Sequence, residues 1–342
     1  MNEPVLTITG LSQHFPMEHS TLDRLRRRPR SVLRAVDGVD LVVGRGETVG
    51  LVGESGCGKS TLGRAIVGLY VPTAGEVRFG TELLDAKRTR EQRRHVQMVF
   101  QDPYSSLNPR MTVGQTLREL LHLHKMVPRD QVDARCRELV HLVGLPEHAL
   151  ASYPRQFSGG QRQRIGIARA LALEPQVLVA DEPVSALDVS VQANVLNLLA
   201  DLKRDLGLSM LFVAHNMAIV RQVCDRVAVM YLGRIVESGP TEEVFTRPQH
   251  PYTRLLLESV PRMRPGYVPE LTAKGEPGSP IDLPQGCRFA PRCPVVFDRC
   301  RVEDPMLSAV GSSGQQAACH LLDTPASREN RGALDTLEVG HA

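Results

Sequence analysis

The chain has 342 residues, 42% of them apolar and 23% charged, with a net charge of +3. That length predicts one large domain with an appendage, and the mild charge implies no polyanion partner. Aromatics make up 4% and Trp is missing, which argues against a stacking surface for nucleic acid; no nucleic-acid partner is expected.

The opening MNEPVLTITG lacks a basic stretch followed by a long apolar one, so no secretory leader is expected. No run of about 18 apolar residues occurs, so no membrane span is expected either. In a cytosolic chain the seven cysteines would be reduced unless a metal holds them. Cys57, Cys136 and Cys224 are scattered, whereas Cys287, Cys293, Cys300 and Cys319 crowd the last quarter.

Val5–Ile8 and Val39–Val43 read as strands of an antiparallel edge layer. Between them, Arg24, Arg26, Arg27, Arg28 and Arg30 form either a solvated loop or a contact for anionic lipid headgroups. Thr48–Val52 is apolar enough for a buried strand, with a helix at Lys59–Leu69 and another strand at Val96–Phe100. From Thr112 to about Leu150 the pattern is helical: Val132, Cys136, Leu139, Val140 and Val143 share one helix face. Val177–Ala180 and Met210–Val213 are continuous apolar runs, each followed by a helical stretch. Strands buried on both faces and separated by helices predict a parallel, doubly wound α/β sheet. Arg226–Tyr231 and Arg234–Glu237 read as a hairpin. Beyond Pro261 the composition changes: eight prolines fall between 261 and 294, too many for helices or central strands. Residues 261–326 are expected to be a linker and a small irregular extension, and 327–342 a disordered tail. With no internal repeat, one nucleotide-binding unit is expected in residues 1–260.

Gly53-Glu54-Ser55-Gly56-Cys57-Gly58-Lys59-Ser60-Thr61 fits G-x-x-x-x-G-K-[ST] between a strand and a helix. Glycines let the backbone curl so that N–H groups face phosphate, and the helix N-terminus adds partial positive charge. Lys59 is then a point charge for the β- and γ-phosphates of ATP, and Ser60 a Mg²⁺ ligand. In Val177-Leu178-Val179-Ala180-Asp181-Glu182 an apolar strand ends in two carboxylates. Asp181 is placed to orient Mg²⁺, and Glu182 to polarise the attacking water. Cys57 has two readings: a small residue filling a tight loop, or a thiol acidified by Lys59 and the helix terminus.

Phe157-Ser158-Gly159-Gly160-Gln161, followed by Arg162-Gln163-Arg164 and an apolar helix, is a second glycine-rich helix start and so a second anion site. It resembles the signature sequence of ABC ATPases, with Phe157 in place of the common Leu. The resemblance implies that Ser158, Gly159, Gly160 and Gln161 cover the γ-phosphate held by a partner subunit, in a head-to-tail dimer of identical or homologous cassettes. It further implies that Gln101 is the Q-loop residue reaching Mg²⁺ and water, that Ser185-Ala186-Leu187-Asp188 is the D-loop, and that His215 contacts the γ-phosphate. Phe15 lies where the family places an aromatic under adenine, with core packing as its other reading. The match runs from about residue 5 to 260. It implies a P-loop cassette with a parallel core sheet, an antiparallel edge layer and a helical subdomain at about 102–157.

Ala35-Val36-Asp37-Gly38-Val39, the stretch Gln101–Met111 and His250-Pro251-Tyr252-Thr253 make the chain similar to ATP-binding subunits of oligopeptide/dipeptide importers. That likeness implies ATP hydrolysis at the cytoplasmic face of the membrane, two transmembrane permease subunits, and an extracytoplasmic solute-binding protein acting indirectly. Nickel or another small solute is the alternative cargo. A soluble ABC ATPase uncoupled from transport is the alternative from another class; long coiled-coil insertions or fused cassettes would mark it. Four thiolates at Cys287, Cys293, Cys300 and Cys319 would suit an iron–sulfur cluster or zinc, although zinc knuckles favour closer pairs. The family's similar tail implies a [4Fe–4S] cluster; zinc and free thiols stay open.

Overall fold

The computed structural model describes residues 3–17, 31–259 and 278–323. The Arg24–Arg30 run, most of the linker and the 327–342 tail lie outside the described residues.

The first half carries β1 (Pro4–Pro16), β2 (Val32–Gly44), β3 (Thr48–Val52), α1 (Lys59–Ile66), β4 (Ala74–Phe79), β5 (Glu82–Leu83), α2 (Arg90–His95), β6 (Val96–Val99) and α3 (Pro103–Ser106). Then come α4 (Val113–His124), α5 (Val132–Leu142), α6 (Gly159–Leu171), β7 (Val177–Asp181), α7 (Val189–Leu206), β8 (Ser209–Ala214), α8 (Met217–Val223), β9 (Arg226–Tyr231) and β10 (Arg234–Pro240). Helices α9 (Thr241–Thr246), α10 (Pro251–Glu258) and α11 (Asp298–Val302) and strands β11 (Ser308–Val310) and β12 (Gln315–Ala317) complete the described chain. Among the described residues no helix is long and apolar enough to cross a membrane.

The strands form two sheets. An antiparallel layer runs β2-β1-β4-β5, and an eight-stranded sheet runs β11-β12-β10-β9-β3-β8-β7-β6. In the larger sheet β9, β3, β8, β7 and β6 are mutually parallel, and β10 turns back on β9. Every residue of β3, β7 and β8 is buried, which is why these strands read as unbroken apolar runs without alternation. In the antiparallel layer β1 and β2 are 13 residues each, longer than their apolar runs suggest. Register shifts between Ile8 and Gln13 put bulges in β1, and these break the period-two pattern by which strands are recognised.

One apolar core fills the space between the antiparallel layer, α1 and one face of the parallel sheet. The other covers the opposite face and continues into α4, α5 and α6. Val132, Cys136, Leu139, Val140 and Val143 are all at most 2% exposed and pack there. Hydroxyl caps start three of the helices: Thr89, Thr112 and Ser158 each accept from the N–H of a Gln three residues on, and that Gln returns the bond. The extension is largely loop, yet its β12 pairs with β10 and so lengthens the main sheet.

Candidate functional site

The parallel strands end together, and the loops leaving β3, β6, β7 and β8 carry the residues singled out above. Such a strand-end crevice is where α/β sheets bind ligands. The loop from β3 to α1 folds tightly under the hairpin of β9 and β10. A Cβ on Gly53 would collide with the Met230 carbonyl, and one on Gly58 with that of Ala35, at φ values of 154° and 109°. Only glycine fits both positions. The Gly233 N–H donates to the Cys57 carbonyl at 2.9 Å, tying the hairpin to the loop.

Lys59 is 5% exposed, and its ammonium donates to the Gly53 and Glu54 carbonyls at 2.8 and 2.9 Å. The cation therefore already sits inside the loop, with Ser55 and Gly56 exposed at its rim and Thr61 following in α1. Ser60 Oγ donates to Asp181 Oδ1 at 2.8 Å. Asp181 is 1% exposed, and its second oxygen is buried with no hydrogen-bond partner among the described residues. Burial raises the pKa of this carboxyl, with the Ser60 hydrogen bond opposing. A buried carboxylate with an orphaned oxygen beside a hydroxyl has the donor set that a hard cation such as Mg²⁺ takes.

Glu182 follows at φ 43°, a left-handed conformation that non-glycine residues rarely hold. Its N–H donates to the Val213 carbonyl at 3.0 Å, so the neighbouring strand fixes the root of the side chain. At Oε2 two predicted residues meet. Gln101 Nε2 donates to it at 3.1 Å, and His215 Nδ1 lies 3.1 Å away. Residues 81 and 33 positions distant in the chain thus converge on one carboxylate oxygen. This oxygen is suited to accept a proton from water, between an amide and an imidazole that orient it.

Ser158 caps α6 and is exposed, with Gly159 and Gly160 packed beneath it. A Cβ on Gly160 would run into Val191 of α7, and one on Gly159 would crowd Leu187. The 158–161 segment therefore rides on the 185–188 loop. Asp188 and Val189 beside it are exposed, Val189 at 82%. Phe15 is half-buried and meets the Tyr70 ring edge-on at 5.5 Å.

The acidified-thiol reading of Cys57 is corrected. The side chain is 4% exposed, and burial pushes its thiol up in spite of Lys59 Nζ at 3.8 Å. Cys136 is a core residue at 0% exposure, and Cys224 is buried behind Gly50. Cys287, Cys293, Cys300 and Cys319 line one small cavity together with Phe289 and His320. Burial and mutual proximity push Cys287 up to about 11, and Cys293 and Cys319 up to about 12. Among the described residues no three or more His, Cys, Asp or Glu are set as ligands of one metal ion; the zinc and iron–sulfur expectations alike gain no support from that arrangement.

Several contacts here join residues far apart in the chain, and no motif assigned them to one another. Arg292 of the extension forms a two-pronged ion pair with Glu54, at 2.7 and 2.9 Å. Tyr252 Oη accepts from the Glu54 N–H at 2.8 Å. Arg288 pairs with Asp37 and donates to the Leu232 carbonyl.

Comparison with known proteins places this arrangement. A family model described as ABC transporter matches residues 36–185, and one described as oligopeptide/dipeptide transporter, C-terminal region, matches 236–300. A putative peptide import ATP-binding protein of Brucella ovis is 47% identical over 320 residues, covering 92% of this chain and 97% of its own length. Another from Brucella abortus is 52% identical over 296 residues, covering 85% and 88%. Among solved structures, cbiO1 from Clostridium perfringens, part of an ABC transporter complex, superposes with a TM-score of 0.60 at 27% identity over 72% of this chain and 92% of that one. A dimeric ATP-binding cassette in a post-hydrolysis state with ADP and Pi also gives 0.60, at 26% identity over 69% and 98%.

Proposed function

The chain belongs to the ABC transporter family as an ATP-binding subunit of the peptide-import kind, and from that premise we propose how its residues divide the work. It is an ATPase that uses ATP and Mg²⁺. Residues 1–260 form the nucleotide-binding domain, with 102–157 its helical subdomain, and 261–326 the linker and extension. Residues 53–61 cradle the phosphates, with Lys59 facing the terminal ones. Phe15, with Tyr70 against its edge, lies under the adenine. Mg²⁺ supplies charge neutralisation on the phosphate oxygens, and Ser60, Asp181 and Gln101 are the residues that would hold it. Glu182 accepts the proton of the attacking water, with Gln101 and His215 keeping its carboxylate in place. The observation that carries this reading is the meeting of Gln101 and His215 at Glu182 Oε2, next to the Asp181–Ser60 pair.

Ser158, Gly159, Gly160 and Gln161 serve the site of a second cassette, in a head-to-tail dimer with an identical or homologous subunit. The exposure of Ser158 and Gln161 beside Asp188 and Val189 supports that reading, since a Gly-rich helix start open to solvent suits a partner's phosphate. The dimer sits on two permease subunits at the cytoplasmic face of the membrane, and a solute-binding protein delivers the cargo from outside. The cargo class is oligopeptides or dipeptides. The test is reconstitution of the chain with its co-purifying permease subunits in vesicles. ATP-dependent accumulation of labelled peptide supports the reading; accumulation of Ni²⁺ with none of peptide would replace peptide by nickel, and ATPase activity with no membrane partner would sink transport altogether.

We also propose that Cys287, Cys293, Cys300 and Cys319 hold a [4Fe–4S] cluster. Their shared cavity supports this, and ligation would offset the cost of burying thiolates in a loop-rich segment. Protein purified without oxygen should contain iron and acid-labile sulfide. About one zinc per chain, or no metal at all, would overturn it.

A further inference from the structure

The extension reaches the nucleotide-binding elements through two arginines that lie between its first two cysteines. Arg288 follows Cys287 and anchors on Asp37 and the Leu232 carbonyl. Arg292 precedes Cys293 and anchors on Glu54, the second residue of the phosphate cradle. The Arg292 side chain is 7% exposed and that of Glu54 30%. Its guanidinium lies 5.9 Å from the Tyr231 ring centre and 6.0 Å from that of Phe289. Two parallel bonds from a planar fork fix the plane of a carboxylate as well as its position.

Glu54 is held at every polar group. Its carboxylate is taken by Arg292, its N–H by Tyr252 Oη at 2.8 Å, and its carbonyl by Lys59 Nζ at 2.9 Å. Tyr252 is itself 0% exposed and packs on Tyr231 and on Phe289 of the extension. Groups from α10 and the extension thus set where the cradle starts, and Glu54 sets where Lys59 rests. A bare carboxylate at this position would repel a triphosphate; paired with Arg292 it becomes an attachment point.

We infer that Arg292 is a positioning residue for the cradle: by clamping Glu54 it holds the loop and Lys59 in the arrangement that receives a triphosphate. The C-terminal extension is then part of the nucleotide site. The inference rests on reading residues 53–61 as that cradle.

Mg-ATP titration of the full chain, with KM and kcat of the assembled transporter, tests it. Arg292→Ala should weaken Mg-ATP binding about tenfold, the scale of one charge-assisted contact. KM should rise in step while kcat stays within about threefold, since the hydrolytic residues are untouched. Loss of charge compensation alone would also weaken binding in that variant, so the combination with Glu54→Gln decides. If Arg292 positions, the double variant stays as weak as Arg292→Ala, and Glu54→Gln alone is weaker than the parent. If only charge matters, Glu54→Gln binds tighter than the parent and the double variant recovers parental affinity, which overturns the inference. Should Arg292→Ala fail to fold by its melting curve, Glu54→Gln carries the test by the same sign. Lys59→Ala is the control for the premise. Parental Mg-ATP affinity in that variant would sink the cradle reading, whereas its loss alongside unchanged Arg292→Ala binding would sink this inference alone.

Discussion

Glu182→Gln asks whether one carboxylate oxygen does the hydrolytic proton chemistry. The substitution should move nothing else, because the strained residue 182 is fixed through its N–H on the Val213 carbonyl and by the Gln101 contact at Oε2. Glutamine keeps the length of the side chain and one oxygen for the Gln101 amide, but that oxygen cannot take a proton. General-base assistance is worth ~10²–10⁴ in rate. At ~1.36 kcal/mol per tenfold, the barrier should rise by about 2.7–5.4 kcal/mol. Mg-ATP affinity should stay within about threefold, because Lys59 and the Ser60–Asp181 pair do not touch residue 182 through their side chains. Phosphate release by the assembled transporter measures the first number and nucleotide titration the second. The unhydrolysed nucleotide should also hold two cassettes together, seen as an ATP-dependent dimer by light scattering. Turnover within about tenfold of the parent would remove Glu182 from the role of base.

Ser158→Arg should leave Mg-ATP binding to the single chain within about threefold and cut hydrolysis by the dimer more than about hundredfold; loss of binding by the monomer would refute a site completed in trans. Asp181 has its pKa raised above 3.8 by burial, so the stability it holds below the unfolded value is lost as pH rises through the folded one. Asp181→Asn should therefore melt higher than the parent at pH 7 without Mg²⁺, by ~2–4 °C for each kcal/mol regained, with the gap closing toward pH 3; coincident melts at pH 7 would refute this. Leu139→Ala, at a position 0% exposed in the helical core, should cost ~2–5 kcal/mol in denaturant unfolding without altering Mg-ATP affinity in the folded fraction. With its thiol pushed up by burial, Cys57 should react with maleimide at pH 7 more slowly than a free cysteine, and faster as pH rises; reaction as fast as free cysteine would restore the acidified thiol.

What the sequence made legible follows from how local each signal is. The strands Thr48–Val52 and Val177–Asp181 announce themselves because burial on both faces leaves only apolar residues and glycine between the terminal Thr48 and the terminal Asp181. The face of α5 is legible because Val132, Cys136, Leu139 and Val140 repeat at the helical period and all point into one core. Strand β1 was half legible: Val5–Ile8 keeps the pattern, but the bulges after Ile8 shift the register and let polar Ser12 and Gln13 turn inward. The site was legible as a set of motifs because loops at strand ends contribute residues from fixed offsets: Ser60 after β3, Gln101 after β6, Glu182 after β7 and His215 after β8. What order alone cannot give is that Gln101 and His215 both turn to the same Glu182 oxygen.

The extension shows the opposite limit. Its cysteines were conspicuous by composition, whereas the residues that tie it to the cassette look ordinary: Arg288, Phe289 and Arg292 lie in a Pro-rich stretch of no periodicity. Arg292 finds Glu54 across 238 residues, and Arg288 finds Asp37 across 251, so no local pattern could pair them. Glu54 itself occupies one of the four free positions of G-x-x-x-x-G-K-[ST], where the phosphate chemistry sets no requirement. A position left free by one function is open to a second constraint. Here that constraint is the guanidinium fork, and it explains a carboxylate beside a site built to attract anions. The same logic separates the two arginines: Arg288 secures the extension to β2 and the β9–β10 turn, whereas Arg292 alone touches the loop that holds the phosphates. A loss confined to Arg288 should therefore loosen the extension, and a loss at Arg292 should be felt by the nucleotide.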